Sequence, residues 1–196
     1  FIYKMVSAGA DLIEIGIPFF FFFAEGPVIQ ESSQKALEAG TNLDNIFELV
    51  KKVRKTVNIP LVFMTYVNPV FRYGYDNFFK QCSVIGIDGI IIPDLPFEEK
   101  NEISEYAKKY DIKIISLIAP TSQQRIEDIA KEAEGFLYVV SSMGVTGERN
   151  EIKTDLKSIV DSVKKVTSVP TAIGFGIHSP QQANQMSKIS DGVIVG

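Results

Sequence analysis

The sequence predicts an α/β fold, a (β/α)8 barrel, and three observations lead there. Short β-branched and apolar runs alternate with amphipathic helical segments along the whole chain. Most of these runs are apolar nearly throughout, the pattern of strands covered on both faces in a parallel sheet. Residues able to do chemistry stand at or just beyond the ends of the runs, where a barrel gathers its active site.

The runs fall at 12–17, 61–65, 89–92, 113–118, 136–140, 171–173 and 192–195. Seven of them over 196 residues is the cadence of a barrel lacking one strand. A doubly wound open sheet is the competitor, but it would show a Gly-rich dinucleotide turn after an early strand, and none is present. The expectation is one barrel domain over 1–196, incomplete at both ends. The chain opens within a helical pattern and closes on an apolar run, so the first strand and the C-terminal helix are expected to lie outside it.

The helices between the runs have readable starts. Thr41-Asn-Leu-Asp44 resembles a capping box ahead of Ile46, Leu49, Val50 and Val53. Pro96 begins another helix, with Glu98 and Glu99 in a first turn whose dipole favours acids. Thr121-Ser-Gln-Gln124 caps the next, and 153–166 places Leu156, Ile159, Val160 and Val163 at helical spacing. Ser179-Pro180-Gln181-Gln182 combines an N-cap, a proline at the first helical position and a reaching Gln.

Composition narrows the class. Hydrophobic content of 45% and charged content of 22% are ordinary for a globular protein. A net charge of −4 without a Lys/Arg cluster argues against nucleic acid. No apolar run approaches the roughly 20 residues that span a bilayer, so no membrane partner is expected. The single cysteine, Cys82, lies in an apolar-periodic stretch and reads as a buried structural thiol in a reducing, cytoplasmic compartment.

Glu14 carries the strongest chemical signal. An ionised carboxylate inside an apolar strand is costly to bury unpaired, so a raised pKa and proton transfer are expected of it. Glu25 follows, beyond five consecutive phenylalanines at Phe19–Phe23, in a Gly26-Pro27 turn; it reads either as a second site carboxylate or as a solvated loop charge. Tyr66 and Asn68 follow the second run, and Asp94 follows the third, as a site residue or as a turn or helix cap. Tyr138 lies in the fifth run ahead of a glycine-containing loop with Thr146, and either tyrosine could be a packing residue. His178 is expected at the surface. Gly174-Phe175-Gly176 after the sixth run and Gly196 after the last allow backbone N–H groups close to a phosphate, which suggests a phosphorylated small substrate.

Several motifs in order resemble the family of tryptophan synthase α subunits. They are Glu14-Ile-Gly-Ile-Pro-Phe19, Ala24-Glu25-Gly-Pro-Val-Ile-Gln30, MTYVNP, PDLP, SSMGVTG and GFGI. The resemblance implies a lyase that cleaves indole-3-glycerol phosphate to indole and glyceraldehyde 3-phosphate, with no metal and no cofactor of its own. Pyridoxal phosphate is implied only in a partner β subunit of an α2β2 complex. Glu14 would then be the acid/base, and Glu25 would take the indole N–H. Tyr66, Asp94, Tyr138, Thr146 and Phe175 would bind substrate, while Gly147, Gly176 and Gly196 would offer amides to the phosphate. The chain departs from the family in having Glu for Asp at position 25 and phenylalanines where a polar loop is usual. Two other readings stand beside this one. One is a binding or regulatory subunit without turnover. The other is a different phosphate-binding barrel such as indole-3-glycerol phosphate synthase, whose catalytic lysine is not read inside these strands.

Overall fold

A computed structural model describes residues 1–20, 26–141 and 155–196. The chain divides into two compact units: among the described residues, 1–20 with 27–114, and 26 with 115–141 and 155–196.

In the first unit the order is α1 (Ile2–Ser7), β1 (Ile13–Gly16), α2 (Pro27–Glu38), α3 (Leu43–Val53), β2 (Leu61–Met64), α4 (Val67–Tyr73), α5 (Tyr75–Ile85), β3 (Gly89–Ile91), a 3-10 turn (Phe97–Glu99), α6 (Asn101–Lys109) and β4 (Lys113–Ile114). Its sheet is parallel, in the order β1-β2-β3-β4. Because side chains alternate across a strand, the register sorts the residues by face. Ile13, Leu61, Phe63 and Ile90 share one face and join the helices in a core with Phe47, Val50, Phe78 and Phe79. The rings of Phe47, Phe63 and Phe78 meet at 5.8–6.4 Å between centroids, a spacing that adds to the energy of burial. Glu14, Val62, Met64 and Ile91 share the opposite face. Cys82 is fully buried in the helix-side core, and burial pushes its thiol pKa up, as a structural thiol requires.

The second unit runs β5 (Leu117–Ile118), α7 (Gln123–Lys131), β6 (Leu137–Val140), α8 (Leu156–Lys164), β7 (Thr171–Gly174), α9 (Pro180–Met186) and β8 (Gly192–Val193), with a parallel sheet ordered β5-β6-β7-β8. The run expected as one strand over 113–118 is therefore two. Lys113 and Ile114 pair with β3, whereas Leu117 and Ile118 pair with β6. Among the described residues no helix is long and apolar enough to cross a membrane.

The caps expected at 41–44, 121–124 and 179–182 are present, two of them one residue later than the sequence suggests, whereas Pro96 leads only into the 3-10 turn that holds Glu98 and Glu99, and α6 begins at Asn101. Asn42, not Thr41, starts α3; its side chain takes the Asn45 N–H at 3.0 Å while Asn45 reaches back to the Asn42 N–H at 3.3 Å. Asn is at least as good a cap as Thr, and its amide neighbour completes the box. Ser122, not Thr121, caps α7 by accepting from Arg125 N–H. Ser179 and Pro180 start α9 as expected, although Gln182 accepts from the His178 N–H rather than the Ser179 N–H.

Each unit contains the same joint at the start of a strand. Arg54, at the end of α3, pairs with Asp88, whose Oδ2 also accepts the Leu61 N–H at 2.8 Å. Lys164, at the end of α8, pairs with Asp191, whose Oδ2 accepts the Thr171 N–H at 2.7 Å. In each unit a proline carbonyl just ahead of that strand accepts from its neighbour strand: Ile13 N–H on Pro60 at 3.0 Å, and Leu137 N–H on Pro170 at 2.8 Å.

Candidate active site

Glu14 sits second in β1, registered against Val62, on the sheet face away from the helices. The residue as a whole is half-buried, but its Oε2 is withdrawn from water and has no hydrogen-bond partner among the described residues. Desolvation raises its pKa from 4.5 to about 7. Burial penalises the charged form, and among the described residues no neighbouring cation offsets the penalty. A carboxyl poised there can give or take a proton near neutrality.

Tyr66 is buried at the end of β2, where its backbone forms the N-cap of α4, and its ring lies 5.7 Å from that of Phe19. Asp94 holds the start of that helix. Its Oδ1 accepts the Val67 N–H at 2.9 Å, so the carboxylate that follows β3 caps the helix that follows β2. The capping role weighed for Asp94 is thus realised on α4 rather than on the helix after it. Partial desolvation of its carboxyl raises the pKa, while the Val67 N–H works the other way. Asn68 points into solvent.

In the second unit Tyr138, on β6, is 5% exposed and shares a sheet face with Ala172 and Gly174 of β7. Its ring lies 5.7 Å from that of Phe175 at 66°. Phe175 has φ 72°, a left-handed conformation rare for an aromatic residue, and Gly176 follows with φ 75°. The Phe175 carbonyl accepts the Ser141 hydroxyl, and the Gly174 carbonyl accepts the Ser141 N–H at 3.0 Å. His178 is exposed as expected, with Nδ1 3.1 Å from the Gly176 carbonyl oxygen. Gly196 is exposed beyond β8.

The structure therefore links Tyr66 to Asp94 through Val67 in one unit, and packs Tyr138 on Phe175 in the other. Glu25, Thr146 and Gly147 lie outside the described residues. The sequence marks Ser141 only as the first residue of the SSMGVTG motif and gives no sign of its two bonds to the turn after β7. Contrary to the expectation that no lysine lies inside the strands, Lys113 opens β4. It stands at the N-terminal end, pairs with Asp111 at 2.7 Å and is about half-exposed, away from the strand ends where barrel chemistry gathers. Among the described residues no group of three or more His, Cys, Asp or Glu side chains could hold a metal ion.

Comparison with known proteins settles the lineage. The family model of the tryptophan synthase alpha chain matches residues 1–196. The tryptophan synthase alpha chain of Lacticaseibacillus casei is 53% identical over 192 residues, covering 98% of this chain and 72% of the relative. Among solved structures, the alpha chain of Legionella pneumophila superposes with a TM-score of 0.86 at 37% identity, covering 100% of this chain and 71% of that one. Mycobacterium tuberculosis tryptophan synthase gives 0.89 at 33% identity, over 98% of this chain and 74% of that one. A tryptophan synthase complex from Pyrococcus furiosus gives 0.85 at 32% identity, over 98% and 78%. The α/β barrel expected from the alternation of runs and helices is the fold class of these relatives. With the whole sequence matched and half its residues shared with a curated relative, the chain belongs to the tryptophan synthase alpha chain family.

Proposed function

We propose that this chain is a carbon–carbon lyase that cleaves indole-3-glycerol phosphate into indole and glyceraldehyde 3-phosphate in the last steps of tryptophan biosynthesis. The observation that carries the proposal is Glu14, whose Oε2 is buried, without a hydrogen-bond partner among the described residues, and belongs to a carboxyl with pKa about 7. The reaction needs such a group. The neutral carboxyl protonates indole C3; the resulting carboxylate accepts the proton of the glycerol hydroxyl next to the ring. As that O–H becomes the aldehyde C=O, the C–C bond breaks and its electron pair restores the aromatic indole. Protons balance across the cycle, and no redox partner is required.

Glu25 takes the indole N–H in this reading and stabilises positive charge on the ring. Tyr66, Asp94, Tyr138, Thr146 and Phe175 shape the substrate site, and Gly147, Gly176 and Gly196 present amides to the phosphate. The left-handed turn at Phe175-Gly176 supports that assignment for Gly176. The chain works as one barrel domain in the cytoplasm without a cofactor of its own. Its partner is a β subunit that carries pyridoxal phosphate. The tryptophan synthase complex among the solved relatives supports the partnership.

The test is indole release from indole-3-glycerol phosphate by the full chain, alone and with a β subunit. Release is the expected result, faster with the partner. Its absence under both conditions would overturn the lyase reading and favour a binding or regulatory subunit.

A further inference from the structure

Ser141 follows β6 directly and is 2% exposed. Through its two donors it takes two successive carbonyls of the turn after β7: its N–H binds Gly174 O at 3.0 Å and its hydroxyl binds Phe175 O. The third carbonyl of the turn, on Gly176, faces the His178 ring nitrogen at 3.1 Å. A carbonyl oxygen fixed in space fixes the peptide plane that contains it, because that plane is rigid. The planes on both sides of Phe175 are therefore set by one buried serine. Between them Phe175 is held at φ 72°. An aromatic residue stays in the left-handed region only where its surroundings over-determine it. Ser141 supplies that determination, and the ring is delivered edge-on to Tyr138.

We infer that Ser141 is a positioning residue for the substrate site: by holding the Gly174 and Phe175 carbonyls it fixes the left-handed turn that aims the Phe175 ring and the Gly176 N–H. The inference rests on the proposed lyase reading for its kinetic consequence. Ser141 moves no proton in the reaction. Its loss should weaken substrate binding in ground and transition states alike, which raises KM and spares kcat.

The experiment is Ser141→Ala in the full chain with its β subunit. The expected result is KM for indole-3-glycerol phosphate raised about tenfold, with kcat within about twofold of the parent. In a Phe175→Gly background, where the turn needs no enforcement, the same Ser141→Ala change should alter KM less than about twofold. A crystal structure of Ser141→Ala should show Phe175 leaving the left-handed region. An unchanged KM, equal effects in both backgrounds, or a Phe175 φ still near +72° in the variant would each overturn the inference. If the parent releases no indole, the lyase reading falls, and the φ of Phe175 in the variant alone decides the role of Ser141.

Discussion

The Tyr138 phenol lies across Gly174 so closely that a Cβ added to that glycine would stand 2.4 Å from its hydroxyl oxygen and 2.6 Å from two ring carbons. Both residues are buried, and the atoms in the way belong to a stiff ring rather than to the free end of a flexible chain. Gly174→Ala should therefore displace Tyr138 and, through their ring contact, Phe175. The expected cost is about 1–3 kcal/mol of stability, as for overpacked cores, with substrate binding impaired more than folding. Thermal unfolding and KM measured on the same preparation check both parts. An unaltered thermal midpoint would show that the ring has room to move.

Glu14→Gln keeps the shape of the side chain and removes its proton chemistry. Turnover should fall about 10²–10⁴-fold, the usual worth of a positioned acid/base, while substrate affinity changes little. The pH profile of the parent should bend near the pKa of about 7, and the residual activity of the variant should lack that bend. Near-normal turnover would remove Glu14 from the mechanism.

The same carboxyl shapes stability. Its folded pKa, about 7, lies above the 4.5 of an exposed glutamate, so the folded state holds more protons than the unfolded state between those values. Stability must then fall as pH rises through that window and level off above it. Glu14→Gln abolishes this contribution, so the variant should gain on the parent from pH 4.5 to 7, by about 3 kcal/mol at most. Denaturant midpoints for the two proteins across that range give the answer; a constant difference would refute it.

Arg54 is 18% exposed and donates to the carbonyls of Gly86, Val57 and Ile59 as well as to Asp88. Arg54→Ala leaves those acceptors unpaired and should cost about 2–3 kcal/mol. Arg54→Lys should restore less than half of the loss, since an ammonium cannot reproduce the fork of donors. Lys51→Ala removes a pair whose side chains are 62% and 63% exposed, and should change stability by less than about 0.5 kcal/mol. Equal denaturation midpoints for the Arg54 and Lys51 variants would contradict this ranking.

The strand–helix alternation was legible because buried parallel strands need continuous apolar runs, and the amphipathic helices over them need a polar outer face. Glu14 was legible for the converse reason, a charge placed where the pattern demanded an apolar residue. The split of 113–118 was not, because it depends on which neighbour each half pairs with, and pairing is a property of distant segments. The same holds for Asp94, whose partner Val67 follows the neighbouring strand, and for Ser141, whose partners become adjacent only through the register of β6 on β7. The caps at Asn42 and Ser122 were displaced by one residue because Thr, Ser and Asn stand side by side and all of them can cap.

The joint made by Arg54 and Asp88 recurs as Lys164 and Asp191, with the base equally far ahead of a strand in each case and the acid just ahead of the next. One molecule thus carries two versions of a single device, differing chiefly in whether a guanidinium or an ammonium closes it. The comparison of arginine with lysine that usually requires two proteins is built into one chain. Exchanging the two bases, each into the other's seat, would separate what the side chain contributes from what its surroundings contribute.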